Sequence, residues 1–108
     1  VSGLTKQKCV ACESGTPSLG GPARQQLHAQ LDPDWKLSED HIERTFTFKN
    51  FRDAFGLATR VALLAEDEGH HPDLEVSWGK LSVFLKTHAA GGLTENDFIV
   101  AAKIDEMV

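Results

Sequence analysis

The chain is short of cysteine, of positive charge and of long apolar runs, and each shortage excludes something. Its 108 residues include two cysteines, Cys9 and Cys12, too few for a disulfide framework, so a reducing cytoplasm is the expected compartment. Eleven Lys and Arg stand against 16 Asp and Glu, a net charge of −5. Holding nucleic acid by phosphate neutralisation needs clustered basic residues, so nucleic acid is not an expected partner. The basic excess that draws proteins to anionic lipid is missing too. No apolar run of about 18 residues occurs, so no membrane span is expected. The chain opens at Val1 with no charged stretch leading into an apolar one, hence no export signal is expected, though a processed precursor stays open. There is no Gly-rich phosphate loop, no GxSxG elbow and no internal repeat. Cofactor-dependent hydride or phosphoryl transfer is therefore not expected, and no cofactor is.

What is present is an ordinary globular balance, 41% hydrophobic and 25% charged, in a chain the length of one domain. Residues 1–21 carry no sustained period and read as a flexible arm, with residues 22–108 as the single domain. Pro22 suits the start of a helix running to about Leu31, where Asp32-Pro33 stops it. Trp35 to Ser38 reads as a short strand and Ile42 to Lys49 as a better one. Ile42, Phe46 and Phe48 fall on one face, and Arg44 interrupts it. Asn50 caps a long helix from Phe51 that ends at Gly69. Its apolar stripe is Ala54, Phe55, Ala58, Val61, Ala62 and Ala65, widened by Leu57 and Leu64. Leu74, Val76 and Trp78 alternate as a strand, Gly79-Lys80 fits a two-residue turn, and a second strand follows from Leu81 to about His88. Thr94 caps a last helix, with Asp97 completing a capping box. The order α-β-β-α-β-β-α predicts an α+β two-layer sandwich, a four-stranded antiparallel sheet with three helices on one face. A bare sheet face and two edge strands invite a homo-oligomer, dimer or tetramer.

Three of the five histidines converge in this layout. His70 and His71 follow the long helix, and His88 ends the last strand. A hairpin turning at Gly79-Lys80 sets His88 opposite His71. Adjacent histidines alone read as a solvated loop. The third histidine across the hairpin, with Glu66 one turn before His70, favours acid–base work near neutral pH. No HExxH-like spacing accompanies them, so no metal site is expected. Cys9 and Cys12 form a CxxC pair without the second pair a structural zinc site needs, and read as reduced thiols on the arm, with intersubunit or partner-assisted metal binding left open. Trp35 and Trp78 suit either plain packing or stacking on a flat heterocycle. His28 and His41 read as surface residues.

Glu66, His70-His71-Pro72, Trp78, His88 and Asp97 stand at fixed spacings across 32 residues, and this pattern resembles the signature of the pterin-4a-carbinolamine dehydratases. Trp35 and the run Phe46-Thr47-Phe48-Lys49-Asn50-Phe51 agree with it, and the resemblance covers about Leu27 to Met107. The CxxC arm is similar to the N-terminal extension of bacterial members that serve phenylalanine hydroxylase. The resemblance implies dehydration of 4a-hydroxytetrahydropterin to quinonoid dihydropterin, a hydro-lyase reaction with neither metal nor organic cofactor. It implies that His70, His71 and His88 line the pterin pocket, with Glu66, Trp35, Trp78 and Asp97 supporting it. His70 and His88 would be the acid and base, and His71 would orient the pterin. The partners it implies are the pterin and a pterin-dependent hydroxylase, the latter by function. A non-catalytic partner of a hydroxylase or transcription factor on the same fold is the alternative.

Overall fold

The computed structural model describes residues 3–108, so Val1 and Ser2 lie outside it. Three helices, α1 (Gly21–His28), α2 (Phe51–Glu68) and α3 (Glu95–Met107), alternate with four strands, β1 (Lys36–Leu37), β2 (Ile42–Thr47), β3 (Asp73–Ser77) and β4 (Lys80–Leu85). The chain order is the expected one, and α1 is shorter than the sequence suggested because the backbone turns after His28.

The four strands form one antiparallel sheet in the order β1-β2-β4-β3. In its centre Ile42 pairs with Leu85 and Phe46 with Leu81, while Leu74 pairs with Val83 and Val76 with Leu81 on the other side of β4. Strand alternation sends all of these to one face, where they meet Leu57, Ala58 and Val61 of α2 and Phe98, Ala101 and Ile104 of α3. The opposite face carries Glu43, Thr45, Ser82 and Phe84, and the hydroxyls of Thr45 and Ser82 bond across the strands at 2.8 Å. Arg44 shares the inner face but lies at its rim. Its guanidinium donates to Asp105 of α3 at 2.8 Å and covers the Phe46 ring at 4.4 Å. Asp32 and Asp34 stand at 3.7 and 3.8 Å, so the cation is enclosed by carboxylates rather than left bare.

α2 starts where the Asn50 side chain accepts the Asp53 N–H at 2.7 Å, and it stops at Gly69, whose φ of 69° is left-handed. Its buried stripe is Ala54, Leu57, Ala58, Val61 and Ala65. Phe55 and Ala62, expected on that stripe, are exposed instead. The helix has more apolar surface than one sheet can cover, and Phe51, Phe55 and Leu63 form a second, outward face.

Two expectations need correction. The β3–β4 turn is Trp78-Gly79, because Ser77 pairs with Lys80. Gly79 takes the second position with φ 70°, and a Cβ there would meet the Phe48 carbonyl oxygen at 2.9 Å. That close approach also lets the Phe48 N–H bond the Gly79 carbonyl at 2.8 Å, which fixes the turn one residue earlier than the sequence suggested. Continuing this register sets Lys86, not His88, opposite His71. The described part of the segment before Gly21, expected to be a flexible arm, is anchored at several points. A 3₁₀ turn at Gly3–Lys6 packs on α3 and buries Leu4 to 2% exposure in the core. The Cys9 N–H bonds Glu68 at 3.0 Å, and the Leu19 N–H bonds the Leu93 carbonyl at 2.8 Å. Single anchors of this kind leave no periodic pattern, which is why the sequence does not reveal them.

Candidate active site

The end of α2 places the first two histidines. Gly69 closes the helix with its N–H on the Ala65 carbonyl, and the His70 N–H reaches the same carbonyl at 3.2 Å. His70 and His71 therefore leave the helix as soon as it ends. His88 comes from a different element. Beyond β4 the chain forms a small closed loop in which Thr87 and Gly92 exchange backbone hydrogen bonds at 2.8 and 3.3 Å. His88 opens the 3₁₀ turn inside it, and Gly91, φ 67°, closes that turn.

These two chain reversals bring His70, His71 and His88 to one cleft of about 220 Å³, shared with Lys86, Val10, Cys12 and Asn96. That is below the roughly 300–1,000 Å³ of ordinary ligand pockets and suits a small flat ring system. The three histidines line one cleft even though the hairpin register does not pair His71 with His88. The loop after β4, not the ladder, carries His88 there.

Each histidine has a different surrounding. His70 is nearly buried and its Nε2 lies 2.6 Å from Asp97 Oδ1. Asp97 is fully buried, and its other oxygen accepts the Thr94 N–H at 3.0 Å and the Thr87 hydroxyl at 2.8 Å. Thr94 in turn bonds Thr87 at 2.8 Å, so its hydroxyl donates to Thr87, whose own proton goes to Asp97. The capping box of α3 thus ends on the histidine. With Asp97 accepting at Oδ1, His70 carries its proton on Nε2, and Nδ1 keeps a free lone pair. His71 bonds Glu66 at 2.8 Å, but both side chains are largely exposed. His88 is exposed and bonds no described side chain.

Glu66 and Asp97 each bond a histidine of the cleft, His71 and His70 respectively. The two tryptophans do not line the cleft. Trp35 is 1% exposed, with its indole N–H on Asp105 at 2.7 Å, a core anchor beside Arg44. Trp78 is 71% exposed at the tip of the hairpin. The outlying histidines also have partners: His28 bonds the Trp35 carbonyl at 2.6 Å, and His41 sits between Asp40 and Glu43. Sequence reasoning missed Thr87, whose hydroxyl completes the brace on Asp97, and Asn96, which holds the arm. The Thr94–Asp97 capping spacing points to the first, and nothing local points to the second. Burial pushes the Cys9 thiol up to about 12, with the Glu68 carboxylate adding to the effect. Among the described residues no group of three or more His, Cys, Asp or Glu side chains is arranged to hold a metal ion.

Residues 18–107 match the family model described as pterin 4 alpha carbinolamine dehydratase. The chain belongs to that family. A relative from Alkaliphilus metalliredigens is 44% identical over 107 residues, covering 98% of this chain and 96% of its own. One from Rubrobacter xylanophilus is 43% identical over 108 residues, covering 99% and 100%. Each is named, provisionally, as a pterin-4-alpha-carbinolamine dehydratase. The crystal structure of a transcriptional coactivator/pterin dehydratase from Brucella melitensis superposes with a TM-score of 0.77 at 33% identity, covering 83% of this chain and 97% of that one. The enzyme class is accordingly that of a dehydratase, a hydro-lyase, and the fold is that of a pterin dehydratase.

Proposed function

We propose that the cleft dehydrates 4a-hydroxytetrahydropterin to quinonoid dihydropterin by histidine acid–base catalysis, recycling the pterin of an aromatic amino acid hydroxylase in the cytoplasm. The observation that carries this reading is the braced imidazole: Asp97 holds Nε2 of His70, a residue that lines the cleft, and no described residue bonds its Nδ1. The reaction moves two protons and breaks one bond. A base takes the proton from the ring N–H beside the carbinol carbon. The nitrogen lone pair then forms the C=N bond as the C–O bond breaks, and an acid protonates the departing hydroxyl, which leaves as water. His70 and His88 are the two groups assigned to these transfers, each worth about 10²–10⁴-fold. His71, tied to exposed Glu66, orients the ring. Nothing in the step requires a nucleophile or a redox partner. The same buried carboxylate caps α3 and orients the imidazole, which ties the helix start to the cleft.

Steady-state kinetics on His70→Ala, His88→Ala, His71→Ala and the His70→Ala/His88→Ala double variant test the assignment, with circular dichroism as the folding control. The single His70 and His88 variants should lose kcat, and the double variant should lose much more than either. His71→Ala should raise KM more than it lowers kcat. A folded double variant turning over at the wild-type rate would remove the site from the reaction.

A further inference from the structure

The cleft has one wall that the signature residues do not supply. Val10 and Cys12 line it, and both come from the segment before α1, far along the chain from the histidines. One side chain, Asn96, grips the backbone of that segment at Val10. The Asn96 carboxamide accepts the Val10 N–H at 3.1 Å and donates to the Val10 carbonyl at 2.6 Å. It thereby satisfies both backbone groups of one residue, as a neighbouring strand would. The same NH₂ lies 3.4 Å from Cys12 Sγ, and the Asn96 carbonyl lies 3.6 Å from Cys9 Sγ. Asn96 itself is 3% exposed, so the amide has no water to exchange these bonds for. With its backbone gripped, Val10 turns an apolar side chain outward, 71% exposed. Val10, Cys12 and Asn96 also border a second depression, lined by Pro17 and Ile99. Asn96 is the chain neighbour of Asp97, so one turn of α3 bonds both His70 and the wall.

We infer that Asn96 is a positioning residue for substrate binding: it clamps Val10–Cys12 as the wall that closes the histidine cleft against a bound pterin. This rests on the reading of the cleft as the pterin site. The wall has no ionisable group committed to proton transfer, so it contributes to holding the ring and not to the chemical step.

Two measurements test it. In the unaltered protein Cys12 reports on the wall directly. At pH 7.5 N-ethylmaleimide should modify Cys12 and spare Cys9, whose thiol stays protonated, and peptide mass spectrometry separates the two. Saturating 7,8-dihydropterin should slow Cys12 modification at least about fivefold, the effect of roughly 1 kcal/mol of contact. In Asn96→Ala, KM for the carbinolamine should rise at least about fivefold with kcat and its pH profile kept, the signature of lost uniform binding. Protection of Cys12 in the unaltered protein, which does not depend on how the variant folds, together with the KM shift supports the inference. Undiminished Cys12 modification while dihydropterin is bound, seen by its fluorescence change, overturns it, as does an unchanged KM in folded Asn96→Ala. If dihydropterin does not bind and the carbinolamine is not turned over, the reading of the cleft has failed and the inference falls with it.

Discussion

Asp97 accepts hydrogen bonds at both oxygens, and an amide cannot. In Asp97→Asn the amide oxygen has one place it must go, toward the Thr94 N–H, because a backbone donor cannot reorient. The NH₂ then faces His70 Nε2, which must accept, and the imidazole proton moves to Nδ1. The free lone pair leaves the cleft while the shape of the site is kept. The expected outcome is a fall in kcat of at least about 10²-fold with a native circular dichroism spectrum. Asp97→Ala should also be unstable, since each buried donor left unpaired costs about 1–3 kcal/mol; urea melts measure it. His41 gives a prediction of a different kind. The Asp40 and Glu43 carboxylates at 2.9 and 3.0 Å hold its pKa above the ordinary value of 6.5. The folded state therefore binds the proton more tightly than the unfolded chain. The resulting stability is complete below pH 6.5 and is lost as the pH rises through the raised value. The difference in urea midpoint between the unaltered protein and His41→Gln should be largest near pH 5.5 and shrink by pH 8.

At the scale of elements, the regular pieces were legible in the sequence and the irregular joints were not. Asn50, Gly69 and the Thr94–Asp97 pair are local signals, and the ends of α2 and the start of α3 fall where they indicate. The Trp78-Gly79 turn was misplaced by one residue because strand alternation is preserved when a hairpin register shifts by two. Only the contact between Gly79 and the distant Phe48 carbonyl decides between the two registers. The histidines were legible as a group for a reason that proved incomplete, since the Thr87–Gly92 closure and not strand pairing delivers His88. Leu4 was invisible, for a lone buried leucine has no period. Two substitutions follow. Leu4→Ala should cost about 2–4 kcal/mol in chemical denaturation, although it lies near the chain's start. Gly79→Ala should be destabilising as well, because its Cβ would be both at positive φ and 2.9 Å from a backbone oxygen. A Gly79→Ala protein as stable as the unaltered one would mean that the hairpin can turn elsewhere.

For the whole molecule the open question is what covers α2. Phe51 and Phe55 stack with ring centroids 6.1 Å apart, and Leu63 extends the same exposed face by two turns. We propose a homo-oligomer, for which the exposed apolar side chains of α2 are the support. Phe51→Ser/Phe55→Ser should lower the mass measured by light scattering, with the monomer fold retained. An unchanged mass would move the interface to the edge strands β1 and β3.

The clamp between Asn96 and Val10 has a consequence in time. The segment that walls the cleft is made before the helix that holds it. While the chain is being synthesised, Leu4 has no α3 to pack against and Val10 no amide to grip it. The histidine loops can form from neighbouring residues, but the wall cannot close until α3 has emerged from the ribosome. Such distant contacts come late, after their loop-closure entropy has been met. A nascent chain halted before Asn96 would therefore present Cys9 and Cys12 unshielded, and the cleft would mature only once α3 is in place.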